Sequence, residues 1–256
     1  MKLTKLKTLL DAKCELYNRP EFIQADPISV PHCFSKKQDI EISGFFAAIL
    51  AWGNRTSIIN SANRILKWMD DAPYQFILHH KPSDLKPFMH FAHRTFNATD
   101  LLYFIEFLQR HYQSYTSLED AFVPDSKYSE VNVGPALIRF RDYFFSQEHP
   151  TRTEKHIATP KKNAACKRLN MYLRWMVRKD LQGVDFGIWN KIKPIQLICP
   201  LDVHVARVAH RLELLPDEKA IWKNAVSLTQ QLICLNDSDP VVYDYALFGL
   251  GMVERL

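Results

Sequence analysis

Apolar residues along this chain recur three and four positions apart, and runs that alternate apolar with polar residues are rare. That pattern restricts the fold to packed helices. Glycine, the usual source of tight turns, is scarce at seven residues in 256. Residues 39–52 (DIEISGFFAAILAW) read as a buried helix closed by Gly53 and Asn54, and Thr56 is placed to cap the helix that follows. A further helix is expected over 99–113, and a loop at 124–134 precedes the apolar run 136–145. Asn163 suits the N-cap of a helix that turns Leu169, Tyr172, Leu173, Met176 and Val177 inward. Asp202 suits the N-cap of one carrying Val205, Val208, Ala209 and Leu212. Asp239 followed by Pro240 signals the start of a last helix that ends in FGLG. The expected fold is all-α with two lobes. Residues 1–43 and 181–256 form a terminal lobe, and 44–180 form a central lobe that contains a hairpin-like segment.

Composition excludes several classes. No apolar run approaches the roughly 18–20 residues that span a bilayer. The opening stretch, MKLTKLKTLLDAKCELYN, is amphipathic and carries acids, unlike a secretory signal, so a cytoplasmic protein with no membrane partner is expected. The five cysteines (14, 33, 166, 199, 234) are scattered and form no CxxC pair. This argues against a disulfide framework, a zinc site or a four-cysteine iron–sulfur cluster, so neither metal nor cofactor is expected. The net charge of +5 is unevenly spread. Residues 161–193 hold nine Lys or Arg and two Asp (9 − 2 = +7), which leaves −2 for the rest. A local basic field of this kind suits a phosphate backbone.

Within that field two residues carry a possible chemistry. Asp202 stands where an apolar run ends and an amphipathic helix begins (PLDVHVARVAHRL, 200–212). Lys167 stands about one turn inside another helix (NAACKRLNMYLRWM, 163–176). Breaking an N-glycosidic bond requires stabilising positive charge on the sugar, which a nearby carboxylate supplies, and a nucleophile for the anomeric carbon. A lysine amine serves as nucleophile once neutral, and a helix N-terminus and neighbouring cations such as Arg168 favour the neutral form. Taken singly, Asp202 is an N-cap and Lys167 a solvated lysine. Their joint occurrence in a basic segment makes the pair a candidate.

The same stretches resemble a known superfamily. PLDVHVARVAHRL looks like the Val-Asp-Thr-His-(two residues)-Arg segment of the helix-hairpin-helix DNA glycosylases, the endonuclease III superfamily, and ACKRLNMYL looks like the context of their nucleophilic lysine. The resemblance implies catalytic roles for Asp202 and Lys167. DIEISGFFAAILAWGNRTSIINSANRIL resembles the early helix pair whose intervening loop reaches into the DNA stack, and DPVVYDYALFGLG resembles the late helix of the base pocket. Overall the chain is similar, over most of 39–251, to a bacterial family of conserved hypothetical proteins related to the archaeal 8-oxoguanine glycosylases. That family relationship implies a monomer acting on double-stranded DNA with a damaged base.

On this resemblance Asn54, Arg55, Lys161, Lys162, Arg168, Arg174, His204 and Arg207 contact DNA, and Trp52, Asp244 and Phe248 shape the base pocket. Trp189 and Trp222 are further stacking candidates. Two departures stand out. No glycine occurs between Gly134 and Gly183, so HIATPKKNAACK must form the hairpin turn with Asn163 and small alanines. The lysine-to-aspartate spacing is 202 − 167 = 35 residues, about twice that of most of the superfamily. Two other readings stand beside the glycosylase: a catalytically silent nucleic-acid-binding protein of the same fold, and a helical adaptor for an acidic protein partner.

Overall fold

A computed structural model describes residues 3–254 and 256 of the chain. Among them are eleven α-helices: α1 (Leu3–Tyr17), α2 (Lys37–Leu50), α3 (Arg55–Trp68), α4 (Pro73–His79), α5 (Ala98–Ser114), α6 (Glu119–Phe122), α7 (Gly134–Phe144), α8 (Lys167–Val177), α9 (Val203–Arg211), α10 (Trp222–Ile233) and α11 (Tyr243–Met252). The only strands among these residues are Ala92–His93 and Phe96–Asn97, paired antiparallel. The fold is all-α. No described helix is long and apolar enough to cross a membrane.

The helices divide into two compact units. One comprises 1–22, 127–138 and 158–256, and the other comprises 23–126 and 139–157. Against the expected division, 23–43 lie in the central unit, and 127–138 and 158–180 lie in the terminal one. Residues 23–43 fall in the central unit because the 3-10 turns Pro27–Ser29 and Pro31–Cys33 pack on α2. The hairpin-like segment and α8 fall in the terminal unit, where Arg174 of α8 pairs with Asp185 and Asp244, and Arg178 at its C-cap with Asp185 and Asp239.

In the central unit α2 is buried from Ile40 to Leu50, as its almost continuous apolar sequence requires. Around it Phe45, Phe104, Phe107, Phe140 and Phe144 form an aromatic core, with Phe104 and Phe144 at 4.7 Å and Phe107 and Phe144 at 4.3 Å. Of the two acids on α2, Asp39 lies in the first turn and Glu41 is buried. The buried Glu41 accepts hydrogen bonds from Tyr112 Oη (2.9 Å), Ser117 Oγ (2.5 Å) and Leu118 N (3.1 Å), which removes the cost of burying it. α3 turns Ile58, Ala62, Ile65 and Leu66 inward. Its cap is Asn54, whose Oδ1 accepts from Ser57 N at 3.2 Å, in place of the expected Thr56.

In the terminal unit α11 packs against both α1 and α9. Glycine permits the close approach on each side. A Cβ at Gly249 would collide with the ring of the buried Tyr17 on α1, and one at Gly251 would lie 3.2 Å from Val208 Cγ2 on α9. Gly249→Ala is therefore expected to cost about 1–3 kcal/mol, the usual range for overpacking, and Gly251→Ala clearly less. Urea midpoints of the two variants check this, and equal midpoints would contradict the packing described. Upstream of α11 the sequence signal misplaces the helix start. Pro240–Val242 is a 3-10 turn, and Asp239 makes no side-chain cap because Arg178 Nε takes its carboxylate at 2.8 Å.

Candidate active site

The turn before α8 settles where Lys167 stands. Pro160–Lys162 form a 3-10 turn capped by Thr159, whose Oγ1 accepts from Lys161 N at 3.3 Å. Asn163 follows in the left-handed region (φ 53°) and does not cap α8. Its Oδ1 accepts from Lys223 N at 3.1 Å and its carbonyl from Trp222 N at 3.0 Å, so it secures the start of α10 instead. Asparagine suits both roles, since its short amide caps helices and also tolerates positive φ. Cys166, left-handed as well (φ 51°), occupies the N-cap of α8 without a side-chain cap bond. Lys167 is thus the first residue of its helix, one turn earlier than its spacing from Asn163 suggests.

Asp202 caps α9 as expected. Its Oδ1 accepts from His204 N (2.9 Å) and Val205 N (3.0 Å), while Oδ2 faces Lys167 Nζ at 3.8 Å. One carboxylate oxygen holds the helix and the other meets the amine. The two side chains are 26% and 23% exposed, so both are open to solvent. An exposed pair at this distance adds at most about 1 kcal/mol to stability, so stability alone does not account for the arrangement.

Behind the pair lies a buried ladder of charge. Lys167 and Arg174, seven residues apart, share one face of α8, and Arg178, four residues further on, follows as its C-cap. Arg174 pairs with Asp244 through Nη1 and with Asp185 through Nε at 3.4 Å, and its guanidinium lies 4.3 Å from the centre of the Tyr245 ring. Arg178 reaches Asp180 (2.6 Å), Asp185 (2.9 Å) and Asp239 (2.8 Å). Asn18 Nδ2 donates to Asp180 at 2.7 Å.

Burial pushes Asp244 up to about 6, with Arg174 and Lys167 pulling it down and Asp202 adding to the rise. Burial, reinforced by Asp244, drives the Cys199 thiol well above its ordinary range; its Sγ lies 4.0 Å from Asp244 Oδ1. A thiol so held is not a nucleophile.

The remaining candidates divide by unit. On the terminal unit Lys161 and Lys162 are exposed, and Arg168 is half-buried, with burial pulling its guanidinium down to about 10. Arg207 Nε donates to the Leu256 carbonyl at 3.1 Å. His204 is half-buried, its backbone close to Gly251, and Phe248 is half-buried one turn beyond Asp244. Arg174 is buried among carboxylates and not presented to phosphate, and Asp244 is closed off beneath it. Trp189 is buried edge-on to Tyr172 as part of the core, and Trp222 opens α10 against Gly134. Trp52, Asn54 and Arg55 belong to the central unit. There Trp52 lies edge-on to His93, with the Arg94 guanidinium 5.4 Å from its ring centre.

The sequence reading missed the inward turn of Arg174 and Arg178 and the roles of Asp180, Asp185 and Asp239 as their counter-ions. The signal available was the seven- and four-residue spacing of Lys167, Arg174 and Arg178 with two aspartates close behind. Arg94 carried no signal of its own.

The chain matches, over residues 26–253, the model of a family described as "Protein of unknown function (DUF2400)". No curated protein and no solved structure matches it.

Proposed function

We propose that this chain, which belongs to the DUF2400 family, is a DNA base-excision glycosylase with helix-hairpin-helix ancestry that removes an oxidised purine such as 8-oxoguanine. The observation that carries this reading is the meeting of Lys167 and Asp202, 35 residues apart (202 − 167), at 3.8 Å on a solvent-open surface. A carboxylate with one oxygen fixed by two backbone amides is held in place, and its second oxygen is left to act on the amine or the sugar.

In this reading the damaged nucleotide is flipped out of the duplex. Asp202 takes the proton that Lys167 must lose and passes it to the departing base, so that it stands again as a carboxylate against the positive charge developing on the sugar. The neutral amine then forms a bond to C1′ as the bond from C1′ to the base nitrogen breaks, and the base leaves with a proton. Opening of the sugar ring gives a Schiff base. Loss of a C2′ proton then expels the 3′ phosphate and nicks the strand. The exposed Lys161 and Lys162, close before Lys167 in the chain, suit the DNA backbone.

Borohydride trapping tests the mechanism. Wild-type protein is expected to form a covalent adduct with duplexes containing oxidised guanine or an abasic site, and Lys167→Ala is expected to form none. Absence of any wild-type adduct, or an equal adduct with Lys167→Ala, overturns the reading. Salt-dependent DNA binding with no cleavage and no adduct would instead leave a nucleic-acid-binding protein.

A further inference from the structure

We propose that Asp244 is a positioning residue that holds a proton beside the Lys167–Asp202 pair and so governs how readily Lys167 gives up its own. For its place in a reaction this rests on the glycosylase reading; the proton itself follows from the balance of charge at the site. Among the described ion pairs, Lys167 and Arg174 of α8 and Arg178 at its C-cap face five carboxylates (Asp180, Asp185, Asp202, Asp239, Asp244), an imbalance of 3 − 5 = −2. Carboxylates in such excess do not all stay ionised in a poorly solvated cluster.

The proton goes to the least compensated member. Asp202 has two backbone amides and Lys167, and is open to water. Asp180 has Arg178, Asn18 and the Gln182 amide. Asp185 has both arginines, and Asp239 has Arg178 and partial exposure. Asp244 is buried, shares Arg174 with Asp185, and turns its second oxygen to a thiol 4.0 Å away.

Burial places the ionisation of Asp244 near 6. Its stabilising effect in the protonated form is therefore complete below the ordinary carboxylate range and fades as pH rises through about 6. The titratable groups around it are Lys167 and Arg174 on α8, Asp202, Cys199 at 4.0 Å and Asp185, which shares Arg174; Tyr243 and Tyr245 adjoin it on its own helix, and Cys14 on α1 acts on Cys199. Cys14 and Tyr243 are each raised to about 12, chiefly by burial, which also drives Cys199 and Tyr245 well above their ordinary values. Once Asp244 loses its proton, the added negative charge holds Lys167 as ammonium.

Two measurements on the free protein test this without DNA. Infrared titration should show a carboxylic-acid C=O band in wild type that disappears through about pH 6 and is missing from Asp244→Asn. Reductive methylation by formaldehyde and cyanoborohydride, read by peptide mass spectrometry, reports on Lys167, with the exposed Lys162 as internal reference. The Lys167-to-Lys162 rate ratio should inflect near pH 6 in wild type, and Asp244→Asn should exceed wild type by roughly three- to tenfold above that pH. If the variant does not fold, the coincidence of the wild-type band and inflection decides. No such band, or a band with no matching inflection at Lys167, overturns the proposal. A missing DNA adduct overturns the glycosylase reading alone.

Discussion

Asp202→Ala and Asp202→Asn should separate the two jobs of one carboxylate. The alanine variant removes the acceptor of the His204 and Val205 amides and is expected to lose roughly 1–2 kcal/mol, the range for a deleted N-cap. Asparagine retains an Oδ1 that caps as well as aspartate does, so its stability should stay within about 1 kcal/mol of wild type. Both variants remove the ion pair with Lys167, which is partly exposed and contributes little to folding. On the proposed reaction the order changes, since neither variant has a carboxylate to place against the sugar. Both should lose roughly 10²–10³-fold in the rate of borohydride-trapped adduct, the effect of removing one oriented electrostatic group. Urea midpoints and single-turnover trapping rates measure the two effects separately. An asparagine variant that traps at the wild-type rate would reduce Asp202 to a helix cap.

The helical character was legible because apolar spacing is a local property. Leu169, Tyr172, Leu173, Met176 and Val177 turn inward on α8 as their spacing demands. What the spacing could not convey is that the other face is buried too, with Asn170 and Arg174 in the interior and Arg178 buried at the C-cap. A tally of basic residues treats every arginine as solvent-facing, and two of the nine between 161 and 193 are spent on internal aspartates. Caps failed for a related reason. Asn54, Asn163 and Asp239 all have side chains suited to capping, but the partner is settled by tertiary packing: Asn54 caps its own helix, Asn163 a helix 60 residues away, and Asp239 none, because Arg178 claims it. Lys167 and Asp202 were picked out by their flanking residues. Their approach depends on how α8 and α9 pack, and no local pattern encodes that.

Arg178→Met is expected to be the most damaging single change in the terminal unit. The side chain is 2% exposed and reaches three carboxylates, and methionine replaces its length without its charge. Breaking a buried ion cluster from one side typically costs about 3–5 kcal/mol, because the remaining charges stay buried without a partner. The loss should depend on pH. In the wild type burial opposes ionisation of Asp180, but hydrogen bonds from Asn18 and Arg178 and from the Gln182 amide outweigh it, so the group sits low. Its contribution is present above the ordinary carboxylate range and lost as pH falls through its lowered value. Asp239 sits high, because burial outweighs Arg178. Without the arginine Asp180 and Asp239 move up, and the variant regains stability as acid supplies the protons that replace the missing cation. The gap in urea midpoint between wild type and variant should therefore narrow steadily from pH 8 to pH 5. A gap that stays constant would mean that the arginine acts through packing, as its position 5.4 Å from the Tyr245 ring centre allows. The effect should also reach the candidate site: Asp185, freed from Arg178, competes with Asp244 for Arg174, and Asp244 is the carboxyl placed to hold the proton beside Lys167.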